Sequence, residues 1–161
     1  MTDVLDGDRP AVDRVRRALL AAGLPDTVKT FDDDVPTAVA AAEVLGCEVG
    51  AIANSLVFEL DGAPLLILAS GAARVDTKLV ARQLGSGKIK RATPEFVLEH
   101  TGQRVGGVAP VGHPEPVRTL IDVHLRGYPL LWAGAGDHQS MLSISYADLA
   151  RVTGAEPLEV R

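Results

Sequence analysis

Ala51-Ile-Ala-Asn-Ser-Leu-Val-Phe-Glu-Leu60, then Asp61-Gly62, then Pro64-Leu-Leu-Ile-Leu-Ala69, is the stretch on which the fold turns. Two runs rich in β-branched and large apolar residues flank an Asp-Gly pair, the dipeptide that best tolerates the positive φ angles of a tight hairpin turn. The second run is almost wholly apolar, which predicts a central strand covered on both faces. The first run carries an anomaly, the polar pair Asn54-Ser55 inside an otherwise apolar strand. Buried polar groups need partners, so this pair either satisfies nearby backbone or lines a pocket.

Upstream of the hairpin, Val12, Val15, Leu19 and Ala22 recur at spacings of three and four. They predict an amphipathic surface helix from Pro10 to Ala22, stopped by Gly23 and Pro25. Thr27 to Phe31 alternates like a short strand, and Thr37 is placed to cap an Ala-rich helix over Ala38–Leu45 that leaves through Gly46. Downstream, Asp76 to Leu84 reads as a helix and Lys88 to Ala92 as a short strand. Thr93-Pro-Glu95 opens a further helix that ends near His100.

From Thr101 to Pro116 the chain is rich in glycine and proline without helical period, yet too apolar for a linker, which predicts an ordered loop. Leu120 to Leu125 fits a strand or a short helix. Tyr128–Ala133 and Met141–Ser145 read as strands, Gly134-Ala-Gly136 as a second glycine loop, and Tyr146–Val152 as a last helix. Helices and strands alternate irregularly around at least one hairpin. The expected fold is therefore α/β, a mixed sheet wrapped by helices, in preference to a doubly wound parallel sheet.

Length and composition bound the rest. A chain of 161 residues fits a single domain over 1–161, with its core at about 10–155. Hydrophobic residues make up 47% and charged residues 23%, which excludes a disordered chain, and no apolar run is long enough to span a bilayer. The acidic, polar start is not a secretory signal, and the single cysteine, Cys47, rules out an internal disulfide. A cytoplasmic protein without membrane contact is expected.

The net charge of −5 argues against coating nucleic acid by bulk charge. Residues 74–91, however, carry Arg74, Lys78, Arg82, Lys88, Lys90 and Arg91 against Asp76 alone. Such a patch can engage a few phosphates; it equally suits a solvated helix face beside a lysine-protected edge strand.

The chemistry-bearing residues form few patterns. His100, His113, His124 and His138 are scattered without ligand spacing, so no metal site and no cofactor is expected. No G-x-S-x-G and no Walker loop occurs. What stands out is Gly106-Gly-Val-Ala-Pro110. Adjacent glycines let backbone N–H groups face a small polar ligand or the oxyanion of an attacked ester; they also suit a tight crossover that needs positive φ.

Taken in order, Thr37-Ala38 before an Ala-rich helix, Ile52-Ala-Asn-Ser-Leu-Val-Phe58, Gly71 with Arg74-Val-Asp76, Thr101-Gly102 through Gly106-Gly-Val-Ala-Pro110, Asp122, and the tail from Ala133-Gly134 to Asp148-Leu149 resemble the YbaK family. These are freestanding relatives of the editing insertion of bacterial prolyl-tRNA synthetase. The resemblance implies a single α/β domain with a barrel-like mixed sheet. It also implies an aminoacyl-tRNA deacylase that hydrolyses a mischarged tRNA by largely substrate-assisted chemistry.

In that reading Gly106 and Gly107 present oxyanion amides, and Asn54 orients the ester or the terminal adenosine. Thr37, Ser55, Gly71, Val108, His113 and His138 line the substrate pocket, and Lys78, Lys88, Lys90 and Arg91 meet the tRNA backbone. The partner implied is the 3′ aminoacyl-adenosine end of the tRNA; an accompanying synthetase and the oligomeric state stay open. One departure is plain: many family members read Ile-Val-Lys-Ser-Leu in this strand, and Asn54 stands where they have lysine. A catalytically inactive binding module of the same fold, holding a nucleotide or aminoacyl derivative, is the alternative. A metal- or thiol-dependent hydrolase using Cys47 is the third.

Overall fold

The computed structural model describes residues 9–161. In chain order it contains α1 (Pro10–Ala21), β1 (Lys29–Thr30), α2 (Ala38–Leu45), β2 (Ile52–Leu60), β3 (Ala63–Ser70), α3 (Thr77–Leu84) and β4 (Ile89–Arg91). It continues with α4 (Pro94–Thr101), β5 (Arg118–Asp122), β6 (Leu131–Gly134), β7 (Ser140–Ile144), α5 (Tyr146–Thr153) and β8 (Glu156–Leu158). The strands form one mixed sheet in the order β1-β7-β6-β2-β3-β5-β8, with β4 added to β2.

The hairpin is its centre. Asp61 and Gly62 both take positive φ, 53° and 82°, and the ladder runs from Leu60↔Ala63 to Ala53↔Ser70. Strict alternation then sorts the side chains. Ala53 and Val57 join Leu66 and Leu68 on a face closed by Val15 and Leu19 of α1, Val97 of α4 and Leu149 of α5. Leu56, Phe58 and Leu60 join Leu65 and Ile67 on the other face, closed by Val80 of α3. β3 is buried from Leu65 to Ser70, as a strand covered on both sides must be. Thr37, Asp76, Thr93 and Ser145 each cap a helix by accepting a backbone N–H three residues on.

Several boundaries differ from the sequence reading, each for a local reason. β1 is only two residues long because Thr27 Oγ1 donates to the Ser143 carbonyl (2.7 Å) and accepts its N–H (3.2 Å), so a side chain replaces the ladder there. Leu120 to Leu125 is both strand and helix. β5 ends at Asp122, whose buried carboxylate accepts the N–H groups of Ser70 and His124 (both 3.0 Å) and starts a 3₁₀ turn over Val123–Gly127. Pro129 cannot donate to a ladder, and β6 begins only at Leu131 and includes Gly134. β8, unforeseen, pairs parallel to β5 through Glu156–Leu158.

The consequential feature is an interruption beside β2. β3 occupies one of its edges along nearly the whole strand, but the other is shared by two partners. β6 pairs parallel with Ile52 and Ala53, and β4 pairs antiparallel with Phe58, Glu59 and Leu60. Among the described residues, 54–57 have a strand neighbour on one side only.

Candidate active site

A cleft of about 420 Å³ opens at that unpaired edge. Because it reaches β2 edge-on, it meets both faces of the strand, Asn54, Leu56 and Phe58 on one and Ser55 and Val57 on the other. Val35, Pro36 and the start of α2 close one end. Arg91, Ala92 and Val97 close another, and Val105, Gly106 and Val108 form the facing wall.

The polar groups of this cleft are few and mostly unengaged. The Asn54 side chain makes no hydrogen bond among the described residues, and Ser55 Oγ is buried without a partner. Thr37 Oγ1 accepts the N–H of Ala40 (3.1 Å), which leaves its own proton to donate. Arg91 is the one ionisable side chain in the lining among the described residues. Among the described residues no histidine, cysteine or carboxylate stands there to move a proton near neutral pH or to hold a metal. No group of three or more such residues able to bind a metal occurs elsewhere among the described residues.

The facing wall has no regular secondary structure, and side chains hold it in place. Gln103, fully buried, accepts the N–H of Ala109 through Oε1 (2.7 Å) and donates Nε2 to the Val111 carbonyl (3.3 Å). Thr101 Oγ1 donates to the Val97 carbonyl (2.7 Å) and accepts the N–H of Gln103 (3.0 Å). Two histidines brace the loop from outside the cleft. His138 Nε2 donates to the Val105 carbonyl and His113 Nε2 to the Ala109 carbonyl (both 2.8 Å). Burial holds the His113 imidazole below its usual pKa, although the bond to Ala109 opposes that shift.

The two glycines do different work. Gly106 lies at the cleft with φ +90°, and a β-carbon there would stand 3.1 Å from His138 Nε2. Gly107 sits behind the lining. Its N–H donates to the Arg104 carbonyl (2.9 Å), its carbonyl accepts the N–H of Gly136 (2.9 Å), and a β-carbon would come within 2.7 Å of the Asp137 backbone. The expectation that Gly107 offers its amide to a ligand is therefore corrected: that amide is engaged, whereas the N–H groups of Gly106 and Val108 are donated to nothing among the described residues.

Of the residues singled out from sequence, the fold brings Thr37, Asn54, Ser55, Arg91, Gly106 and Val108 to one cleft. Gly71 is not among them. It donates to the Ile52 carbonyl (2.7 Å) and packs so tightly on Val49 and Ala38 that a side chain has no room. His113 and His138 border two separate cavities behind the loop. Lys78, Lys88 and Lys90 are exposed on α3, beside β4 and on β4, outside the cleft lining. Cys47 is not in the cleft lining; it packs in the cluster under α2 that also holds Val35, Ala41, Ile52 and Met141 of that lining, and burial raises its thiol pKa. Sequence reasoning gave no role to Thr101, the last residue of α4, or to Gln103 just beyond it, whose polar character at the start of a glycine-rich loop was the available signal. It also missed the apolar walls Val57 and Val97, which carry no signal beyond being apolar.

Comparison with known proteins places this geometry. The aminoacyl-tRNA editing domain profile matches residues 32–152. The chain is 32% identical over 124 residues to the uncharacterized protein YwhH of Bacillus subtilis, covering 76% of this chain and 78% of that one. It is 34% identical over 102 residues to a proline–tRNA ligase of Limosilactobacillus fermentum; that match takes in 60% of this chain but 18% of the ligase. A crystal structure described as a candidate trans-editing enzyme for prolyl tRNA synthetase superposes with a TM-score of 0.89 at 37% identity, covering 94% of this chain and 97% of that one. The hypothetical protein APE2540 superposes with a TM-score of 0.84 at 26% identity over 91% of this chain and 98% of its own. With the profile spanning most of its length and the fold shared over 94% of it, this chain belongs to the aminoacyl-tRNA editing domain family.

Proposed function

We propose that this protein is a trans-editing deacylase that hydrolyses the ester joining a small amino acid to the 3′ adenosine of a mischarged tRNA. The observation that carries the reading is the cleft at the unpaired edge of β2, whose lining brings together Asn54, Gly106 and Val108 with their donors unengaged and, among the described residues, holds no histidine or carboxylate. The ester carbonyl sits between the Gly106 and Val108 N–H groups and the Asn54 amide. These donors stabilise the oxyanion that develops as water attacks. With no histidine or carboxylate among the described lining residues, the substrate itself moves the proton lost by that water: the free hydroxyl of the terminal ribose takes it while giving its own proton to the departing ribose oxygen, or the amino group of the aminoacyl moiety accepts it and returns it to that oxygen. Collapse of the tetrahedral intermediate breaks the ester C–O bond, and the ribose oxygen leaves with a proton.

Gly107 and Gly71 act in this scheme by packing, and His113 and His138 by bracing the loop. Arg91 at the cleft, with the start of α2 opposite, supplies the positive potential for the terminal phosphate. Lys88 and Lys90 beside it, and Lys78 on the helix that packs against β4, extend that potential toward the acceptor strand. Removing one phosphate contact weakens tRNA binding and lowers its salt dependence by about one unit of slope.

The deciding experiment measures deacylation of tRNAs charged with Ala, Ser, Cys, Thr and Pro by the wild type and by Asn54→Ala. Acceleration of at least one, reduced about 10- to 100-fold in the variant, supports the enzyme. Equal decay with and without protein across the panel would replace it with a binding module of the same fold.

A further inference from the structure

The Ser55 hydroxyl is the unexplained group of the cleft. Its oxygen is buried and has no hydrogen-bond partner among the described residues, whereas the other buried hydroxyls near the site, Thr101 and Ser70, each bond to backbone. A buried donor left unsatisfied destabilises a fold, so such a group in a cleft reads as one waiting for a ligand.

Its surroundings define that ligand. Ser55 lies between Ala53 and Val57 on one face of β2 and pairs in register with Leu68. Ala53, Val57 and Leu68 belong to one apolar cluster with Ala92, Val97 and Val108, and all of these but Leu68 also line the cleft. The hydroxyl therefore lies beneath apolar side chains, on the opposite face of the strand from Asn54, and a substrate group reaches it by displacing part of that lining. An ammonium there would be stripped of water against one neutral oxygen, with no carboxylate in the lining to compensate it, so the α-amino group is excluded. A neutral, small side chain carrying its own hydroxyl fits.

Resting on the deacylase reading above, we propose that Ser55 is the specificity-determining residue of the cleft. Its hydroxyl exchanges a hydrogen bond with the side-chain hydroxyl of the aminoacyl group, so that seryl esters are selected over alanyl esters of nearly the same size. A purely apolar recess separates such isosteres poorly, by about 100-fold at most and with the sign favouring alanine. A site built around a hydrogen bond discriminates far more strongly in favour of the hydroxyl.

The test compares Ser-tRNA and Ala-tRNA hydrolysis by the full chain, wild type and Ser55→Ala. It runs alongside binding of the non-hydrolysable amide analogues, seryl- and alanyl-3′-aminoadenosine. The wild type is expected to favour the seryl ester by about 100-fold or more in kcat/KM, and Ser55→Ala to bring the two substrates within about fivefold while leaving the thermal midpoint unchanged. A wild-type preference for alanine, or a serine preference that survives Ser55→Ala, overturns the proposal and leaves the deacylase intact. If no charged tRNA decays faster with protein present, the deacylase reading fails, and the analogues alone decide the recess. A seryl preference in Kd that Ser55→Ala abolishes upholds the role of Ser55, and equal affinities overturn it.

Discussion

The two walls of the cleft bury polar side chains to opposite ends. In the loop wall, Gln103 engages both ends of its amide with loop backbone and Thr101 bonds on both sides of its hydroxyl. In the strand wall, the Ser55 hydroxyl and the Asn54 amide bond to nothing among the described residues. The difference follows from what each wall lacks. On its β3 edge the strand receives its backbone hydrogen bonds from the ladder and needs no side chain for them. A loop without ladder or helix must find partners for each buried N–H and C=O among side chains. Polar residues of the same apparent oddness are thus structural on one side of the cleft and available to a ligand on the other.

This contrast fails if substitutions on the two walls behave alike, and the largest separation is expected at Gln103. Gln103→Leu keeps the volume but leaves the Ala109 N–H and Val111 carbonyl unpaired in a buried site. A loss of about 2–4 kcal/mol in urea unfolding is expected. An unchanged midpoint would show that the loop finds its bonds elsewhere. Next comes Gly107→Ala, whose β-carbon would collide with the Asp137 backbone. It should lose about 1–3 kcal/mol, while Gly127→Ala, where a β-carbon meets nothing within 4 Å, stays near wild type. Equal effects at the two positions would place the close approach at Gly107 in doubt.

A smaller effect is expected from pH. The folded pKa of His113 lies below its ordinary 6.5, so between those two values the unfolded chain binds the extra proton. Stability from this group is full above about pH 6.5 and falls as pH drops through the window beneath it. Urea midpoints at pH 7.5 and 5.5 should differ less in His113→Gln than in wild type, and an identical difference would remove His113 from the loop's support. The smallest effect belongs to Ser55→Ala. Because its hydroxyl holds nothing in the fold, stability should stay within about 0.5 kcal/mol of wild type. A loss above 1 kcal/mol would mean that Ser55 has a structural partner, and the two walls would no longer differ.

Much of the fold was legible because its signals are local. Asp61-Gly62 carries its own turn geometry, Thr37, Asp76 and Thr93 accept N–H groups three residues away, and the near-unbroken apolar run of β3 can only be central. β8 escaped because three residues containing Pro157 carry no periodic pattern and are strand only by lying beside β5. At the site, Asn54-Ser55 and Gly106-Gly107 were visible as departures from their surroundings. Their division of labour was not: which glycine amide is engaged depends on where the Arg104 carbonyl falls, and which serine is unpaired depends on what packs above it.

The sequence by itself determined the hairpin, the capped helices, an ordered glycine loop and the family resemblance, since each rests on residues adjacent in the chain or on their order. Only the tertiary structure decided where the cleft lies. That position is set by β6 ending its pairing at Ala53 and β4 beginning at Phe58, two contacts between segments some 30 to 80 positions apart. The gap of four unpaired residues between them is a property of how three strands meet. No local propensity encodes it, because Asn54–Val57 would pair as well as any other β residues if a neighbour reached them.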